Sequence, residues 1–232
     1  MEAENHPPEV VDFVRSVNRS GEAYHRIDFG GGLLMEGEWD MQRHLHRYEL
    51  PTELAGMTVL DVGTSSGYFA VEFARRGAKV TAIDLWDGSF QEMVFRGAQV
   101  DVKYVQMDLF DLDESFGTFD LVFCGSVLMH TWDQFTALQR LRAVCGGKAI
   151  IATAIMSPGW LARRLLRNVP FARFVGEKGL GPGPAYWTTW ALSPTALMTM
   201  AETAGFESAS YRGSFWLGLE HGVLHGYTAE SS

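Results

Sequence analysis

Cysteine is almost absent: Cys124 and Cys145 are the only two in 232 residues. Two thiols cannot build a disulfide framework, and no CxxC or Cys/His spacing suggests zinc. Positive charge is also scarce, with 19 Lys and Arg against 28 Asp and Glu and a net charge of −9. An acidic chain gains little from phosphate counterion release, which argues against nucleic acid as a partner. Long apolar runs are missing too. The longest, Ala149 to Met156, is too short to span a bilayer. The opening MEAENHPPEV has no basic stretch followed by an apolar run, so no secretory signal is expected. These absences leave a soluble, cytoplasmic protein without a membrane partner as the expectation. What the chain has is apolar content (47%) sufficient for a sizeable core, and 25 glycines.

The amino-terminal part reads as a cap over residues 1–56. Val10, Phe13, Val14 and Val17 recur at helical spacing, YHRIDFGGGLL suggests a loop or hairpin at its triple glycine, and residues 39–50 suggest a helix stopped by Pro51. Residues 57–156 then alternate strands with helices. Strands are expected at MTVLDVG, KVTAIDL, residues 102–107, FDLVFC and residues 148–155, with helices over 68–76, 90–99 and near 132–145. Such alternation predicts a parallel sheet covered on both faces. Residues 157–191 interrupt the rhythm and read as a lid insertion. In residues 192–232, Ser193-Pro194 starts a helix that Gly205 closes, and residues 206–211 and 223–228 supply two last strands. The expected fold is therefore a single α/β domain: a doubly wound, mostly parallel, seven-stranded sheet with a helical amino-terminal cap and a lid.

Chemistry concentrates at the carboxyl ends of the strands, where open α/β sheets bind ligands. Gly63 and Gly67 in VLDVGTSSGYFA lie on the turn between the first of these strands and its helix. The spacing is neither the GxGxxG of dinucleotide enzymes nor a P-loop, which opposes a nicotinamide oxidoreductase. Asp84 ends the next strand, about twenty residues on, where a carboxylate can accept both hydroxyls of a ribose. Asp108 follows the third strand and can take an adenine amino group. Alone, each has a plainer reading as a tight turn or a helix cap; together at successive strand ends they point to an adenosine site.

VLDVGTSSGYFA, Asp84, QMDLF and FDLVFCGSVLMH resemble the successive motifs of class I S-adenosylmethionine-dependent methyltransferases, with Ser65 standing at the family's middle glycine. A narrower resemblance, through YHRIDFGGG, Gly37, Asp40, RYELP and SPTALMTMAETAGF, is to the wobble-uridine tRNA methyltransferase-like group, which also contains tailoring enzymes for small molecules. The resemblance implies S-adenosyl-L-methionine as cofactor, with Asp61, Gly63 and Gly67 at its methionine end, Asp84 on the ribose, Asp108 on the adenine and Cys124 contributing its backbone. It implies methyl transfer to a small-molecule acceptor in a biosynthetic tailoring step. The alternatives are a tRNA wobble-uridine methyltransferase and a non-catalytic adenosyl-ligand protein.

His130, just past the fourth strand, reads either as a base for the acceptor or as a structural residue, since histidine ordinarily titrates near neutral pH. Tyr24 and His25 read either as groups orienting donor or acceptor or as packed strand residues. Trp187 and Trp190 read as lid packing or as walls of an apolar acceptor pocket. These five are expected to face one pocket beside the donor. Arg163, Arg164, Arg167 and Arg173 form the one basic cluster and read as a solvated helix face or as a contact for an anionic acceptor. His44 and His46 fall on different faces of a helix, so no metal is expected.

Overall fold

The computed structural model describes residues 6–156, 168–175 and 188–229. Two compact units divide the chain, Met1–Asp108 and Leu109–Ser232.

In the first unit, α1 (Pro8–Ser20) buries Val10, Val14 and Val17, the apolar stripe read from the sequence, and has proline in its first turn. The triple glycine makes a hairpin, β1 (Ile27–Gly30) paired antiparallel with β2 (Leu33–Met35). The cap is therefore a helix plus a hairpin rather than wholly helical. Residues 39–50 do not form the expected helix either. Two short 3₁₀ turns, Met41–Arg43 and Leu45–Tyr48, replace it. The Asp40 carboxylate that could cap a helix is engaged by Arg43 at 3.0 Å instead, and Glu49 takes a left-handed conformation at φ +48° before Pro51. Beyond this, β3 (Thr58–Val62), α2 (Tyr68–Arg75), β4 (Lys79–Asp84), α3 (Ser89–Gly97) and β5 (Val102–Gln106) follow in turn. β4 runs parallel to β3 and to β5, pairing Val80 with Val59 and Ile83 with Val105. Val59 to Val62 are buried at every position, as a strand covered on both faces requires.

In the second unit, β6 (Phe119–Gly125) lies parallel to β7 (Cys145–Ala154), and α4 (Gln134–Ala143) connects them. The Asp133 carboxylate caps α4 by accepting the Thr136 N–H at 2.9 Å. The Ser193 hydroxyl caps α5 (Pro194–Thr203) in the same way, from Ala196 at 3.1 Å. The last two strands, β10 (Ser208–Leu217) and β11 (Leu219–Tyr227), are much longer than the sequence suggests. Gly213, Gly218 and Gly222 hide the alternation there, and a bulge between Tyr211 and Gly213 restores pairing. Two further strands, β8 (Ala172–Phe174) and β9 (Trp190–Leu192), pair antiparallel. They belong to the expected lid; its arginines Arg163, Arg164 and Arg167 lie outside the described residues, while Arg173 is on β8.

The sheet is seven-stranded; its order is β3-β4-β5 within the first unit and β10-β11-β7-β6 within the second. β11 runs against both β7 and β10. This is the mostly parallel α/β architecture expected from the strand–helix alternation. No described helix is long and apolar enough to cross a membrane.

Candidate functional site

The turn after β3 is built around a buried carboxylate. Asp61 lies in an otherwise apolar strand, and its Oδ2 accepts the Thr64 hydroxyl at 2.7 Å. Burial pushes its pKa up to about 7. The Thr64 bond and the Ala70 N–H work against that rise, and the charge of Asp84 adds to it. This carboxyl group therefore keeps its proton to much higher pH than an ordinary aspartate, and a cation beside it would favour its ionised form.

The turn itself hangs on β4. The N–H groups of Gly63 and Thr64 donate to the Ile83 carbonyl at 2.9 and 3.2 Å, and Gly67 N–H donates to the Thr64 carbonyl at 2.8 Å. Gly63 and Gly67 have φ of +72° and +85°. A Cβ on Gly67 would also come within 2.9 Å of the Phe95 ring, so glycine is required there twice over. Ser65, between them, adopts φ +50° without being glycine. That conformation costs an L-residue on the order of 1 kcal/mol. Two side chains hold it: Asp84 Oδ2 accepts the Ser65 N–H at 2.8 Å, and Gln91 Nε2 donates to the Ser65 carbonyl at 2.6 Å.

Asp84 also accepts the Leu85 N–H on Oδ1, at 2.7 Å. A carboxylate offers about four acceptor positions. Each oxygen of Asp84 therefore has one protein partner and one lone pair over, which suits the two hydroxyls of a ribose. Burial raises its pKa, while the bonds from Ser65 and Leu85 oppose the rise. Beside it, Leu85 and Trp86 are 60% and 67% exposed, an unusual display of apolar surface at a strand end. Tyr104 and Gln106 on β5 fix this pair, donating to the Trp86 and Leu85 carbonyls at 2.8 Å each. Asp108 is half-buried two residues past β5.

The amino-terminal segment is tied to the same turn. The Ser66 hydroxyl accepts the N–H groups of Tyr24 at 2.9 Å and His25 at 3.4 Å. The His25 ring is buried among Tyr24, Tyr68 and Phe69, with ring centroids 4.8–6.2 Å away. Its Nδ1 has no hydrogen-bond partner, and burial pushes its pKa down to about 3. His25 is therefore neutral at physiological pH, and of its two sequence readings the packed one accounts for this environment. Tyr24 lies at the boundary between half-buried and exposed.

The second unit holds the remaining predicted residues. Cys124 is a buried cysteine, in no disulfide, near the carboxyl end of β6. His130 is exposed and ends the 3₁₀ turn Leu128–His130, its N–H donating to the Val127 carbonyl at 2.8 Å. Trp190 on β9 is half-buried, and its Nε1 donates to the Trp132 carbonyl at 3.2 Å. Phe174 packs against both tryptophans, with centroids 4.9 Å from Trp190 and 6.0 Å from Trp132. Trp187 lies outside the described residues. Among the described residues, no three His, Cys, Asp or Glu side chains gather as a metal site.

Residues 59–146 match the family described as "Methyltransferase domain". Curated relatives include a ubiquinone biosynthesis O-methyltransferase of Xanthomonas oryzae pv. oryzae, 35% identical over 128 residues, 53% of this chain and 54% of that protein. The enzyme of the same name from Bordetella avium is 29% identical over 71% of this chain and 68% of its own length. The chain thus spans about half the length of the Xanthomonas relative it matches. Among solved structures, the N-terminal domain of EvdMO1 with SAH bound superposes with a TM-score of 0.65 at 16% identity, covering 94% of this chain and 96% of that one. A Burkholderia thailandensis 1,6-didemethyltoxoflavin-N1-methyltransferase gives 0.56 at 20% identity, covering 81% and 74%. The fold is that of the class I methyltransferases. The narrower likeness to wobble-uridine tRNA enzymes finds no support in these relatives.

The matched segment includes Asp61, Gly63, Gly67, Asp84, Asp108, Cys124 and His130; Tyr24, His25 and Trp190 lie outside it. Within the first unit the structure brings Asp61, Gly63, Gly67 and Asp84 to one turn, with Tyr24 and His25 tethered to it through Ser66. Sequence reasoning missed Thr64, Ser66 and Gln91. The TSSG stretch carried a signal for the first two, because hydroxyls at a strand–helix turn commonly bond backbone or side chains nearby. Gln91 carried none, being one polar residue in an amphipathic helix 26 positions away.

Proposed function

We propose that this chain is an S-adenosylmethionine-dependent methyltransferase acting on a small-molecule acceptor. The observation that carries the reading is the Asp84 carboxylate, fixed by the Ser65 and Leu85 N–H groups with one lone pair left on each oxygen. A ribose diol is the ligand group that matches such a pair, and the exposed Leu85 and Trp86 beside it suit an adenine ring. Asp61 supplies buried negative charge for the cationic methionine end, and Asp108 takes the adenine amino group. Cys124 contributes through its backbone.

The donor brings an already activated methyl group, so the protein has to position two reactants and exclude water. His130 receives or orients the acceptor proton at its exposed ring. Trp190, with Trp132 and Phe174, presents aromatic surface for an apolar acceptor. His25, neutral and buried, fixes the amino-terminal segment against the turn. The relatives named as O-methyltransferases favour an oxygen acceptor, and the net charge of −9 favours a small molecule over tRNA. A tailoring step in biosynthesis is the setting this reading implies.

Titration calorimetry with S-adenosylhomocysteine, NADP and NAD tests the donor site. Micromolar binding of the first alone is expected, and tight binding of either dinucleotide overturns the reading. Transfer of labelled methyl to phenolic small molecules, measured beside transfer to unfractionated tRNA, tests the acceptor. Label appearing in the tRNA alone would reject the small-molecule assignment.

A further inference from the structure

We infer that Gln91 is a positioning residue for the donor turn, a clamp that lets serine stand where a glycine would otherwise be needed. The inference rests on the proposed donor site but adds a residue to it. Ser65 holds φ +50° between two glycines whose own φ values are positive. Glycine adopts this conformation freely, whereas serine drifts back toward negative φ unless both of its peptide groups are held. Both are held. Asp84 accepts from Ser65 N–H at 2.8 Å, and Gln91 Nε2 donates to Ser65 C=O at 2.6 Å. Asp84 alone would fix only one end of the residue.

Gln91 is a poor choice on packing grounds. It sits on α3 at 4% exposure, and its Oε1 is buried with no hydrogen-bond partner. A methionine or leucine would fill the same space without an orphaned acceptor. The retained amide therefore has its use in the one bond it does make, to Ser65. That bond holds the peptide group after Ser65 while Asp84 grips the one before it, so the ribose-binding carboxylate and the turn are set together. Loss of Gln91 should loosen the turn and misplace Asp84 without touching the ligand directly.

A double-mutant cycle tests this. Gln91→Met keeps the volume and removes the N–H, so it should fold, as circular dichroism and thermal unfolding will verify. In the parent background it should weaken S-adenosylhomocysteine binding roughly tenfold, the equivalent of one lost hydrogen bond. In the Ser65→Gly background the same change should cost no more than about twofold, because glycine needs no clamp. Equal losses in both backgrounds, or no loss in the first, overturn the inference. A second readout does not depend on any ligand: amide exchange across residues 64–67 of the ligand-free protein should quicken in Gln91→Met. Unchanged exchange there refutes the clamp even if the parent binds no adenosyl ligand, an outcome that would separately reject the proposed donor site.

Discussion

Asp61 gives the site a pH signature that can be worked out in advance. Its carboxyl has an ordinary pKa of 3.8 and is pushed up to about 7 in the folded, ligand-free chain, chiefly by burial. The folded state therefore binds this proton more tightly than the unfolded state. Its contribution to stability is fully present below pH 3.8 and is lost as pH rises through about 7. At about 1.4 kcal/mol per pH unit, with the slope halving as pH reaches the folded pKa, the fall between pH 5 and 7 is roughly 2 kcal/mol. Asp61→Asn removes the titration while keeping the shape. The variant should therefore gain on the parent as pH rises, by roughly 5–10 °C in Tm between pH 5 and 8 for a chain of this size. Donor binding reverses the balance, because a bound cation holds Asp61 ionised and releases its proton. Affinity for S-adenosylmethionine should rise up to about tenfold per pH unit toward pH 7 and level off above it. Calorimetry at pH 6 in two buffers of different ionisation enthalpy counts the released proton directly. A Tm difference between variant and parent that stays constant from pH 5 to 8, with no proton released on binding, would refute the reasoning.

Three other outcomes follow from the geometry. Asp84→Ala should weaken S-adenosylhomocysteine binding roughly tenfold to a hundredfold, the worth of charged hydrogen bonds to a diol, by calorimetry; unchanged affinity refutes the ribose assignment. Gly67→Ala forces φ +85° on an L-residue and drives a methyl to 2.9 Å from Phe95, so Tm should fall by several degrees on the scale of roughly 1–3 kcal/mol. His130→Ala should lower turnover roughly 10²–10⁴-fold in a labelled-methyl assay with donor affinity unchanged; full activity would show that the acceptor needs no base from this residue.

Much of the fold was legible because the helices and parallel strands are local and periodic. Val10, Val14 and Val17 mark one helix face, and Ser193-Pro194 is a helix start that depends on four adjacent residues. Residues 39–50 misled because an apolar period was present while the capping carboxylate had a stronger claim on it. Arg43 stands only three residues along, but Arg26, at 3.9 Å, is a neighbour of Asp40 that the folded chain alone supplies. The lengths of β10 and β11 were hidden by glycines whose pairing is decided across the hairpin. At the site, glycines and strand-end carboxylates announce themselves by position. The conformation of Ser65 does not, because serine is compatible with either sign of φ when partners are supplied from elsewhere. Nor does the burial of His25, whose neighbours Tyr68 and Phe69 lie more than forty residues on in the chain.

The departures from ordinary folding economy in the first unit have a common address. Asp61 is a carboxylate inside an apolar strand, Ser65 is a left-handed serine, Gln91 carries an orphaned buried oxygen, and His25 a ring nitrogen without a partner. Each is destabilising taken alone, by about 1–3 kcal/mol for strain or for an unsatisfied polar atom. Hydrogen bonds and chain connectivity link them through four consecutive residues: Gly63 follows the strand of Asp61, Thr64 bonds Asp61, Ser65 bonds Asp84 and Gln91, and Ser66 bonds the backbone of His25. A sequence selected for stability alone would replace several of these by apolar residues or glycine. Local conflicts that persist together on one turn are what a preformed ligand site leaves in a fold. They also set the order in which substitutions should act: those that relieve a conflict, such as Asp61→Asn above neutral pH, should stabilise the ligand-free chain while weakening the donor site.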